Sequence, residues 1–155
     1  LDSFAYAAEA LAGAAFGRNK RSEFRFWVVQ TTVWAFAVSA LYSLAFYLTG
    51  TAIIDTLTDI TSVRAEANSA LYVIALLPVF AVWCYQFDGI FIGATAGRGM
   101  LVSMAGAFIF YALALEYWSN SMTLDRLWMC VLIFMAARGL VQAFYYPLLE
   151  RRLTA

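Results

Sequence analysis

The chain has 155 residues, of which 64% are hydrophobic, 17% aromatic and 13% charged; ten basic residues balance ten acidic ones and there is no histidine. A soluble domain carries about 25% charged residues, so the apolar surplus here faces lipid, in helices whose runs of about 20 residues match a bilayer core. Zero net charge with dispersed basic residues excludes a phosphate-tracking surface and a nucleic-acid partner. The lack of histidine removes the commonest general base, and no Gly-rich phosphate loop or nucleophile–base pair argues for an enzyme.

Five apolar segments follow one another between charged or turn-forming borders. The first, about 1–17, is "LDSFAYAAEALAGAAFG" and ends in "GRNKRSEFR". Its small residues Ala5, Ala8 and Ala12, with Gly13 and Gly17 at GxxxG spacing, make a thin helix suited to close packing. Glu9 lies on one stripe with Asp2, Tyr6 and Gly13, and reads either as a carboxylate facing a watery cleft or as a functional polar contact. The second span covers about 26–49, with Gly50 as its stop. The polar stretch "TGTAIIDTLTDITSVRAEANS" then carries Ile53, Ile54, Leu57 and Ile60 at helical spacing, which predicts a short interfacial helix. The third span, about 70–95, contains Pro78 and Asp88; the fourth, about 100–118, follows the tight turn "AGRGM"; the fifth, about 127–149, precedes "ERR". Cys84 and Cys130 lie within spans and read as small hydrophobes.

Alternate loops differ sharply in basic content. Arg18, Lys20, Arg21, Arg25, Arg98, Arg151 and Arg152 gather on one side, against Arg64 and Arg126 on the other. Cytoplasmic loops carry the excess of Lys and Arg, which predicts a cytoplasmic C-terminus. Five spans then put the first residue outside, and with no initiator methionine the chain reads as the C-terminal part of a longer protein.

Three ionisable residues inside the apolar segments are the candidates for function, because a charge in the hydrocarbon is costly and normally serves ions, substrates or protons. Asp88 shares its helical face with Ala81, Tyr85, Ile92 and Thr95, which places Tyr85 within reach of its carboxyl. Counted from Arg98 it is roughly 15 Å deep. Ten residues before it, Pro78 removes the hydrogen bond to the Ile74 carbonyl and is expected to bend the helix, freeing carbonyls to line a cavity. Arg138 is near mid-span and is expected to pair with an acid, Asp88 or Glu9. Asp88 reads as an ion or proton site, the alternative being a packing contact held by a proton or by a neighbouring helix. Gln30, Gln86 and Gln142 read as interhelical hydrogen bonds rather than ligands.

The runs "LDSFAYAAEALAGAAFG", "LTDITSVRAEA", "LPVFAVWCYQFDGIFIGAT" and "YYPLLERRL" resemble, in order and spacing, the C-terminal half of a multidrug and toxic compound extrusion (MATE) transporter. The resemblance implies an all-α integral membrane fold in which five transmembrane helices form most of one six-helix lobe. It implies a multi-pass protein of the plasma (inner) membrane whose partners are the bilayer, an N-terminal lobe of the same protein and a small organic substrate. It further implies an antiporter that exports organic, often cationic, xenobiotics against inward H⁺ or Na⁺, with no cofactor besides the coupling ion. Asp88, with Tyr85, stands where several members carry a coupling carboxylate, so that Na⁺ near Asp88 is one expectation; Glu9 and Arg138 supply secondary polar contacts. In the branch that the sequence resembles most, coupling is assigned mainly to aspartates of the other lobe. Two alternatives remain at this point: a flippase for lipid-linked oligosaccharides in the same superfamily, and a non-transporting membrane module.

Overall fold

The computed structural model describes residues 2–153. They form five α-helices: α1 (Asp2–Gly17), α2 (Arg21–Leu57), α3 (Thr61–Gly93), α4 (Gly97–Trp118) and α5 (Leu124–Glu150), with one 3₁₀ turn at Ser119–Ser121. No strand occurs among the described residues. This is the all-α architecture that lipid imposes, since a helix satisfies its backbone donors and acceptors internally where water is absent. Four of the helices, α2 to α5, are long and apolar enough to cross a membrane. The first segment of the sequence reading, α1, has 16 described residues, about 24 Å of helix.

The hub of the bundle is α3, which packs against α1, α2 and α5, while α4 leans mainly on α5. Glycines set how closely these neighbours approach. A Cβ at Gly89 would lie 2.1 Å from the Ala5 carbonyl oxygen, one at Gly93 2.5 Å from that of Glu9, and one at Gly13 2.8 Å from the Gly93 Cα. Backbone thus meets backbone along the α1–α3 seam, as small residues allow in membrane helices. The GxxxG pair that matters is Gly89 and Gly93 on α3; Gly17, expected to act with Gly13, has nothing within 4 Å of its Cβ position.

No separate interfacial helix follows the second span. Helix α2 runs unbroken through Gly50 to Leu57, so Ile53, Ile54 and Leu57 sit on its last turns and Ile60 caps α3. Gly50 is not a stop but a point of contact, since a Cβ there would come within 2.4 Å of Leu71. Arg64 explains the abrupt reversal: its guanidinium donates to the Thr58 and Asp55 carbonyls at 2.6 and 2.8 Å, satisfying acceptors that a helix end leaves open. Helix α3 stays continuous through Pro78.

At the opposite end the α1–α2 turn, the α3–α4 turn and the residues after α5 come together around a core containing Phe24, Phe91 and Leu149. Phe24 meets Phe16 edge-on at 5.6 Å and stacks on Tyr146 at 6.2 Å. The seven basic residues counted above flank this end, and two of them, Arg21 and Arg25, hold the buried carboxylate of Glu150 at 2.8 and 2.5 Å.

Candidate functional site

Each face of α3 near residue 88 has its own neighbour. Gly89 and Gly93 meet α1, Gln86 donates to Thr31 Oγ1 of α2 at 2.6 Å, and Trp83 and Cys84 abut Gly139 of α5. The remaining face carries Tyr85, Asp88 and Ile92, at helical offsets that direct them into the gap between α1 and α5, two helices with no substantial packing on each other. Gly89 rests on Ala5, twelve residues before the end of α1. The site therefore lies about 18 Å from the basic end, near mid-membrane.

There Asp88 is held from α5 by two side chains one turn apart. Arg138 donates through Nη2 to Oδ2 at 2.6 Å, and Gln142 donates through Nε2 to Oδ1 at 2.6 Å. Asp88 and Arg138 are each only 13% exposed, and Gln142 is fully buried. Both carboxylate oxygens thus receive an N–H donor, one of them charged, which is how a carboxylate is made tolerable away from water. The cage is nevertheless incomplete. Arg138 Nε and Gln142 Oε1 are buried and have no hydrogen-bond partner among the described residues.

The structure brings Asp88 and Arg138 together and leaves Glu9 outside the pair. Glu9 is half-buried on α1, and its backbone is what Gly93 packs against. Tyr85 shares the face of Asp88 but makes no hydrogen bond to it among the described residues. Pro78 lies within α3 two to three turns outward of Asp88, on a half-buried stretch. Gln142, read as an ordinary interhelical contact, is a member of the site, and its i, i+4 relation to Arg138 was the signal that could have found it. Cys84 and Cys130 are free and buried.

A cavity of about 370 Å³ opens between α3 and α5 among Phe80, Trp83, Phe87, Gly139 and Leu140. Helical offsets place it on the opposite flank of the α3–α5 seam from Asp88, so its apolar lining does not join the polar site.

Residues 2–118 match the MatE family model. That match contains Asp88, while Arg138 and Gln142 lie beyond it on α5. Over 148 residues the chain is 38% identical to the DNA damage-inducible protein F of Escherichia coli (strain K12), an alignment covering 90% of this chain and 30% of that protein. The chain thus spans about a third of the length of this curated relative. No solved structure matches it.

Proposed function

The chain belongs to the MatE family, whose members are membrane transporters and not enzymes, and on that premise we propose that it forms part of a cation-coupled antiporter exporting organic cations across the plasma (inner) membrane. The observation that carries this reading is the carboxylate of Asp88, kept near mid-membrane by Arg138 and Gln142 and turned toward the α1–α5 gap. A bundle that needed only packing would be better served by apolar residues of the same volume. An ionisable group retained at that depth is suited to take up and give back charge. Transport of this kind requires a further lobe moving against this one around a shared cavity, and that lobe is the partner the reading supplies.

In this reading the coupling ion is H⁺. A proton asks for one oxygen of Asp88, whereas Na⁺ asks for a shell of oxygens, and the atoms aimed at Asp88 from α5 are N–H donors. In the same reading the seven basic residues face the cytoplasm and set the C-terminus there. Tyr85 lines the path to the carboxylate, Glu9 lies farther along α1, and Pro78 supplies a weak point at which the outer part of α3 bends.

The test uses cells that express the full-length protein. Ethidium accumulation falls on expression of the wild type, and Asp88→Asn restores accumulation to the level of non-expressing cells. Equal efflux by the two proteins, at equal membrane abundance, removes Asp88 from the transport reaction.

A further inference from the structure

We propose that Arg138 is a tethered competitor for the cation position on Asp88: the carboxylate holds either the guanidinium or a monovalent cation entering from the α1–α5 gap, and not both. The inference rests on the reading of Asp88 as the group that receives charge, and adds what occupies it beforehand.

Three observations carry it. The first is occupancy. Arg138 Nη2 stands 2.6 Å from Oδ2, the position an incoming cation would take, and a second positive charge beside it in a poorly hydrated site is strongly repelled. The second is the unfinished state of the cage. Buried polar atoms normally find a partner, because each orphan costs free energy. Arg138 Nε and Gln142 Oε1 instead remain buried without partners among the described residues, so the guanidinium is held by one of its nitrogens and is correspondingly easier to release. The third is geometry. Asp88 stands on the gap face of α3, whereas both its donors come from α5, so a cation approaching along the gap meets the carboxylate from a side that no donor occupies.

Exchange then follows from charge balance. With Arg138 on Asp88 the pair is neutral; when a cation takes the carboxylate, the freed guanidinium leaves one net positive charge, which favours the cation's departure. Ion exchange at Asp88 is exchange against Arg138, not against water. The apparent affinity for any external cation is reduced by the fraction of molecules in which Arg138 has let go.

The experiment measures binding of tetraphenylphosphonium, a permanently charged organic cation with no proton to lose, to the complete protein purified in detergent. Arg138→Gln is expected to bind this probe at least about tenfold more tightly than wild type, as expected when a competitor present at the millimolar effective concentration of a tether is removed. Arg138→Lys keeps a charge on a shorter, single-donor head and is expected to tighten binding by about two- to fivefold; it serves should the glutamine variant not fold. Asp88→Asn is expected to lose the site in either background. Unchanged or weaker binding by Arg138→Gln or Arg138→Lys overturns the competitor, and so does a failure of both to bind. If Asp88→Asn weakens binding while the Arg138 variants match wild type, the competitor alone fails. If Asp88→Asn binds as wild type does, the reading of Asp88 as the receiving group fails with it.

Discussion

Two carboxylates of this bundle are held by arginines, and the contrast between them separates architecture from chemistry. Glu150, at the end of α5, receives both Arg21 and Arg25 of α2, close to the aromatic contact of Phe24 with Tyr146. Two cations for one anion, at the basic end where water is near, make a clamp with charge to spare. Asp88 lies about 18 Å farther in, with one arginine, one glutamine and two orphaned atoms around it. The first arrangement closes the α2–α5 end of the bundle; the second holds its carboxylate with one cation and one neutral donor. The difference lies in redundancy, not in the residue types.

Substitutions at the two carboxylates sharpen this distinction. The largest stability loss is expected at the clamp. Glu150→Gln should lower the unfolding free energy of the complete protein by about 2 kcal/mol, less than the 3–5 kcal/mol typical of a fully buried broken pair because Arg21 and Arg25 remain partly solvated. Thermal aggregation in detergent would report the drop, while transport per folded molecule should stay at the wild-type level. Reduced turnover by the folded fraction would mean that the clamp is not merely structural.

Gln142→Leu comes next. It removes a hydrogen bond to a charged acceptor together with an orphaned acceptor, so the stability loss is expected to be about 1 kcal/mol, below the usual range for bonds to charged groups. Here transport should fall more than stability does, the reverse of Glu150→Gln, and the ratio of the two effects is the quantity to measure. Arg25→Gln is the smallest change. Arg21 still pairs with Glu150, so the cost is expected to be about 0.5 kcal/mol, and a loss as large as that of Glu150→Gln would show that the clamp has no redundancy.

What could be read in the sequence, and what could not, divides along physical lines. Apolar runs interrupted by basic turns specify helices and their alternation, because lipid leaves few other ways to satisfy a backbone. Asp88 and Arg138 were legible as partners because charges near mid-membrane have few places to go. Gln142 was read as an interhelical hydrogen bond, which it makes, but its partner was not legible: a glutamine in an apolar run can bond to any neighbour, and its choice depends on α5 lying beside α3 with α4 displaced outward, which no local pattern records. The connection after α2 was misread for a similar reason. Gly50 looks like a terminator, yet the approach of Leu71 gives that glycine a packing role inside a continuous helix, and the end is set seven residues later where Arg64 binds the last carbonyls. The glycine pair was sought on α1, where Gly13 meets Gly93 but Gly17 has open space at its Cβ position, and found on α3, where Gly89 and Gly93 admit the α1 backbone. A motif of two small residues marks a thin face but not which helix will use it.

The central claim is that Asp88 is where this bundle exchanges charge, and the most direct test is proton-coupled transport by the full-length protein in proteoliposomes. With an imposed pH gradient, wild type should couple H⁺ uptake to movement of an organic cation in the opposite direction. Asp88→Asn, reconstituted at equal density and with thermal stability close to wild type, should lose both fluxes together. Equal H⁺ and substrate fluxes in wild type and Asp88→Asn across the pH range would contradict the account and leave the Asp88–Arg138–Gln142 cluster as a packing contact.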